Sequence, residues 1–165
     1  MTRPEPWLRG ALPDVDPLLA PVLFALQQAR EDLDSHTAGL STEAIWSRPS
    51  GVTSLGFHLR HIAGSLDRLT TYLLGRDLTE EQLAFLHAEN EPGASRDELL
   101  ADIMRELDAT EDVIRSLDTA RLTEPRTVGR KRLPTTVIGL AIHIAEHTQR
   151  HVGQAITMCK LLGGT

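Results

Sequence analysis

The spacing of apolar residues limits what this chain can fold into more than any other feature. They return every three or four positions through four long segments, and period-two runs of β-branched residues are missing. The first segment, DPLLAPVLFALQQAREDLDSHTAG (16–39), opens with Asp16 and Pro17 in cap and first-turn positions and ends near Gly39. STEAIWSRPSG (41–51) reads as a short helical turn closed by Pro49 and Gly51. Thr53 or Ser54 then caps LGFHLRHIAGSLDRLTTYLLG (55–75), where Leu55, Leu59, Ile62, Leu66, Leu69 and Leu73 share one stripe.

TEEQLAFLHAENEPG (79–93) begins with a Thr79 to Gln82 capping box, and SRDELLADIMRELDATEDVIRSLD (95–118) with a Ser95 to Glu98 box ahead of a long amphipathic stretch. TEPRTVGRKRLP (123–134) is the one extended loop. Pro134 with Thr135 starts a last helix that runs to Leu162 before a pair of glycines stops it. Four main helices with short connections predict an all-α chain, a four-helix bundle with one or two short extra helices. A length of 165 residues and 41% hydrophobic content suit one domain over 1–165 with a single core.

Charge and composition remove several function classes. Seventeen basic against twenty-three acidic residues give a net charge of -6, and the longest basic block is GRKR (129–132), so no nucleic-acid partner is expected. No apolar run reaches the roughly 18–20 residues needed to span a bilayer, and MTRPEPWLRGALPDVDP lacks the build of a signal peptide. The expected setting is cytoplasmic, with no membrane partner. One cysteine, Cys159, leaves no internal disulfide and no zinc ribbon, so a metal would need nitrogen and oxygen ligands.

HIAEHTQRHVGQ (143–154) carries three histidines at four-residue spacing on the last helix. The apolar stripe there counts as Val137, Leu140, Ile144, then Ala155, Met158 and Leu162, and the slots that continue the rhythm are 147 and 151. Both hold histidine. At about 100° per residue the two differ by about 40° around the axis, so their imidazoles can converge. Two buried imidazoles side by side leave several donors and acceptors to satisfy, which a shared cation does while keeping both neutral.

Two metal chemistries fail on the sequence. HIAEH matches the HxxEH peptidase motif, but that chemistry needs a carboxylate ligand downstream, and no Asp or Glu follows His147. A di-iron bundle needs Glu-x-x-His on two helices, and the chain has none. A mononuclear site of mainly histidine ligands remains. The second helix supplies His58 and His61 within a polar stripe of Ser54, His58, His61, Ser65, Arg68 and Tyr72, and periodicity puts His58 nearer the apolar centre by about 60°.

SLGFHLRHIAGSLDRL and AEHTQRHVGQ together resemble the two signatures of the DinB/YfiT-like superfamily: a histidine before IA in the second helix, and an HxxxH pair ending in H-any-GQ in the last. The resemblance implies a four-helix bundle with a divalent ion, often zinc or nickel, held by His61, His147 and His151. It implies thiol-dependent transferase or isomerase chemistry with a low-molecular-weight thiol such as bacillithiol or mycothiol, and a homodimer. His58 and His143 then become groups that orient the ligands or face the substrate. Three neutral histidines leave positions for water or a thiol, whose pKa the cation lowers, with Arg68 or Tyr72 as polar contacts for a small-molecule substrate. The expectation is a metal-dependent transferase, isomerase or hydrolase; the alternative is a non-catalytic bundle whose histidines are structural or merely hold a metal.

Overall fold

Serine and threonine caps set most of the helix starts. The computed structural model describes residues 3–163 and contains six helices: α1 (Ala20–His36), α2 (Thr42–Trp46), α3 (Leu55–Leu73), α4 (Glu80–His87), α5 (Arg96–Arg115) and α6 (Val137–Leu161). Ser54 accepts a hydrogen bond from the Phe57 N–H at the head of α3. The capping boxes Thr79/Gln82 and Ser95/Glu98 are both formed, so orphan amides at the starts of α4 and α5 have partners. Helix ends follow the glycines, with Gly39, Gly75 and Gly163 all in the left-handed region. The second glycine of the expected stop, and the first two residues of the opening stretch, lie outside the described residues.

Two helix starts differ from expectation. Asp16 caps a separate turn, its carboxylate accepting from the Leu18 N–H at 2.9 Å, and α1 begins four residues later at Ala20. The stretch expected to be one extended loop pairs with itself, and Pro134 and Thr135 belong to the hairpin rather than to the last helix. Strand β1 (Pro125–Val128) runs antiparallel to β2 (Leu133–Thr136), with Arg126 opposite Thr135 and Thr127 opposite Pro134. A two-stranded ribbon tolerates Pro134 because both of its strands are edges. Thr136 then caps α6 through the Gly139 N–H, while the amides of Val137 and Ile138 donate to the carbonyls of Glu124 and Leu122. Those two bonds satisfy first-turn donors of the helix and fix the hairpin beneath it.

Four helices form the bundle. α3 packs against α5 and α6, and α1 packs against the same two, so the order around the axis is α1, α6, α3, α5. Leu26 and Leu33 of α1, Leu59, Ile62 and Leu66 of α3, Ile103 and Leu107 of α5, and Leu140 and Ile144 of α6 fill the centre. Each such side chain contributes about 1.5–3 kcal/mol on leaving water. The architecture is a mostly all-α four-helix bundle with two short extra helices and one small hairpin. No helix among the described residues is long and apolar enough to cross a membrane.

Candidate metal centre

The buried line of α6 runs through Ile144, Thr148, Val152 and Ala155. His147 and His151 are therefore not the core slots that counting assigns to them. From Ile144 both i+3 and i+4 continue a helical stripe, and α6 uses the i+4 positions, which puts the two histidines one residue round, on the flank facing α3. They are half-buried there. Gln149 fixes the rotation of α6 from the opposite side, its Nε2 donating to the Ala25 carbonyl of α1 at 2.7 Å.

On that flank α3 brings His61. One ring nitrogen each from His61, His147 and His151 lies within 4.8 Å of the others, the one such histidine, cysteine or carboxylate cluster found among the described residues. His61 Nε2 is 2.9 Å from His147 Nε2, and the His61 and His151 ring centroids are 4.4 Å apart. His58, one turn back on α3, is more buried than His61 and meets the other side of His151, with their Nδ1 atoms 3.2 Å apart. Periodicity thus ranks the burial of His58 and His61 correctly, while the convergence selects His61.

A carboxylate that sequence reasoning missed completes the arrangement. Glu89, only 3% exposed, accepts a hydrogen bond from His61 Nδ1 at 2.7 Å and another from Arg68 Nη2 at 2.7 Å. It sits in the turn after α4, where no periodic pattern marks it; its nearest sequence signal is the acidic run around Asn90. Arg60 holds that turn by donating to the carbonyls of Ala88 and Glu91, and Arg48 Nη2 reaches Asn90 at 3.2 Å. Arg60 in turn lies 4.8 Å over the Trp46 ring. Burial pushes the Glu89 carboxyl up, but the His61 hydrogen bond and the Arg68 charge outweigh it and hold the group below the usual carboxylate range.

An ionised carboxylate only accepts, so the proton of a neutral His61 belongs on Nδ1 and the Nε2 lone pair faces His147. Burial, then the neighbouring His61 and other charges, lowers both His147 and His151 to about 4. Burial and His61 also lower His58. Neutral imidazoles with converging nitrogens are the state a cation requires. Two nitrogens bound at ~2.0–2.1 Å in a tetrahedral set stand about 3.3 Å apart, so the 2.9 Å pair needs only a small opening. His147 Nδ1 is buried and has no partner among the described residues.

The other candidates fall at different distances. Arg68 is buried, 8% exposed, and bound to Glu89 rather than facing solvent. His143 is exposed and pairs with Glu146 at 3.1 Å, its ring 5.3 Å from that of His147. Tyr72 is half-buried against the core, eleven residues and so about 16 Å along α3 from His61. Glu146, the acid of the HxxEH match, is on the surface and bonds Arg150.

The sequence model of the DinB superfamily matches residues 25–155, a span that contains α3, α6 as far as Ala155 and all the histidines described above. The chain belongs to the DinB superfamily. Solved structures agree on the fold of this superfamily member. A DinB-like protein from Bacillus cereus superposes with a TM-score of 0.69 at 16% identity, covering 90% of this chain and 92% of that one. YfiT from Bacillus subtilis, described as a probable metal-dependent hydrolase with an unusual four-helix bundle topology, gives a TM-score of 0.67 at 12% identity over 94% of each chain. No curated protein matches the chain.

Proposed function

We propose that this DinB superfamily member is a divalent-metal-dependent enzyme, with His61, His147 and His151 as its ligands and zinc or nickel as the ion. The observation that carries this reading is the meeting of three ring nitrogens within 4.8 Å, from two helices. The description of YfiT as a probable metal-dependent hydrolase supports it from the side of the fold. When bound, such an ion acts as a Lewis acid that yields a nucleophile at neutral pH from water or a thiol.

The protein's own groups have separable tasks. Glu89 keeps the His61 proton on Nδ1 and directs Nε2 inward, and Arg68 keeps Glu89 ionised. Nitrogen ligands alone leave positions for a small molecule, which fits a low-molecular-weight thiol or water attacking an electrophilic substrate in a transferase, isomerase or hydrolase reaction. Metal analysis of purified protein against a His147→Ala variant tests the centre: stoichiometric ion in the parent and none in the variant is expected, and equal content in both overturns it. Thiol transfer and ester hydrolysis, each measured with metal-loaded and chelated protein, test catalysis. Equal rates in both forms would leave a bundle whose histidines are structural.

A further inference from the structure

A cavity of about 460 Å³ opens between the segment before α3 and the second half of α6. His58 is in its wall, which places it against the far side of His151 from His61. Gln154 and Met158 stand one and two turns beyond His151 on that residue's own face of α6, so the cavity continues the histidine cluster along the helix. Its wall combines two chemistries. Val52, Met158 and Leu161 form an apolar part, and Val52 and Leu161 remain 45% and 63% exposed, which leaves large apolar groups facing water at one place. Among the described residues Arg150 is the one arginine or lysine that lines the cavity, and no Asp or Glu lines it, in a chain of net charge -6. Glu146 takes Arg150 Nη2 outside it, leaving the remaining guanidinium donors unengaged among the described residues.

We infer that this cavity is the substrate site and that it takes a small molecule joining an apolar chain or ring to a carboxylate or similar anionic oxygen group. Its catalytic meaning rests on the proposed metal centre; the binding itself does not. The apolar part lies against Val52, Met158 and Leu161, and the anionic oxygens meet Arg150. If His151 held the ion through Nε2, the nitrogen not engaged by His58, its proton would stay on Nδ1 and would be donated to His58 Nδ1. His58 would then carry its own proton on Nε2, the nitrogen left for an acceptor oxygen of the substrate.

The probes are hexanoate and hexanamide, alike in their apolar chain and different in charge, titrated into metal-loaded protein and followed by amide chemical shifts. Hexanoate is expected to move the signals of Thr53, Gly153 and Thr157 and to bind about tenfold more tightly than hexanamide, the margin of one charge-assisted hydrogen bond. A Cβ at Gly153 meets nothing within 4 Å and Gly153 lines the cavity, so Gly153→Leu extends into that space with the helix intact, and hexanoate binding is lost while metal content stays. Arg150→Gln brings hexanoate down to the level of hexanamide. No shift at these residues, equal affinity of the two probes, or undiminished binding to Gly153→Leu overturns the assignment. The same titration of the unsubstituted protein, with its metal content measured alongside, separates the two readings: hexanoate binding to protein that holds no metal sustains the cavity when the metal centre fails, and metal without hexanoate binding does the reverse.

Discussion

Glu89 shows how one side chain can determine both the stability and the chemistry of this bundle. It is buried between a cation and an imidazole, so deleting it leaves the Arg68 guanidinium charged in a low-dielectric place where its Nη1 already lacks a partner. Glu89→Ala is expected to cost about 3–5 kcal/mol in urea unfolding, and Glu89→Ala combined with Arg68→Met to recover most of that, because the stranded charge goes too. A double variant as unstable as the single one would show that the penalty comes from lost packing. Glu89→Gln keeps the shape but not the charge, and metal affinity in a competition titration is expected to fall 10–100-fold as the hold on the His61 proton weakens. Unchanged affinity would remove Glu89 from the centre. The three clustered histidines are legible in the sequence through the motif, while periodicity brings His147 and His151 together but favours His58 over His61. Glu89 is not, because its place depends on Arg60 and Arg48 gripping a turn from other elements.

Helix starts and ends are legible wherever the signal is local. Ser54, Thr79 and Ser95 cap as their spacing says, since a cap needs only its own backbone three residues on. The hairpin and the delayed start of α6 are not, because β1 and β2 are stabilised by pairing with each other and by the α6 amides. Packing of glycines within helices is equally hidden. Gly56 and Gly153 look alike in the sequence, yet a Cβ on Gly56 would lie 2.6–2.7 Å from the Trp46 ring, and on Gly153 would meet nothing within 4 Å. Trp46 cannot move away easily, since its Nε1 donates to the Ala94 carbonyl at 2.8 Å and Arg60 lies over its ring. Gly56→Ala therefore sets an overpacking cost of about 1–3 kcal/mol against a helix-propensity gain of about 1 kcal/mol, and a net loss is expected. Gly153→Ala keeps the gain alone, up to about 1 kcal/mol. Thermal unfolding of the pair checks the opposite signs, and equal shifts would show that Trp46 yields.

Across the whole molecule, the bundle places neutral imidazoles from two helices in a common, partly dehydrated space, and this couples folding to pH. His147 and His151 fall from an ordinary value of 6.5 to about 4, so between those values the folded, metal-free protein binds fewer protons than the unfolded chain. Their contribution to stability is fully present above about 6.5, declines as the pH falls, and is lost once the pH passes below about 4. Glu89 is lowered from 4.5, so its contribution is complete above 4.5 and disappears only at lower pH. The two windows can be separated. Urea midpoints of chelated protein are expected to fall steadily from pH 7 to pH 5, where Glu89 is still ionised, and a variant with His58→Asn, His147→Asn and His151→Asn together, which removes all three lowered imidazoles, is expected to be nearly flat over that range. A parent as flat as the variant would mean that the imidazoles accept protons without cost, and so are not held neutral by the fold. Bound metal acts in the same direction as high pH, because it also selects unprotonated nitrogens: its stabilisation should be greatest near neutrality and shrink on acidification as protons compete for the nitrogens of the folded site.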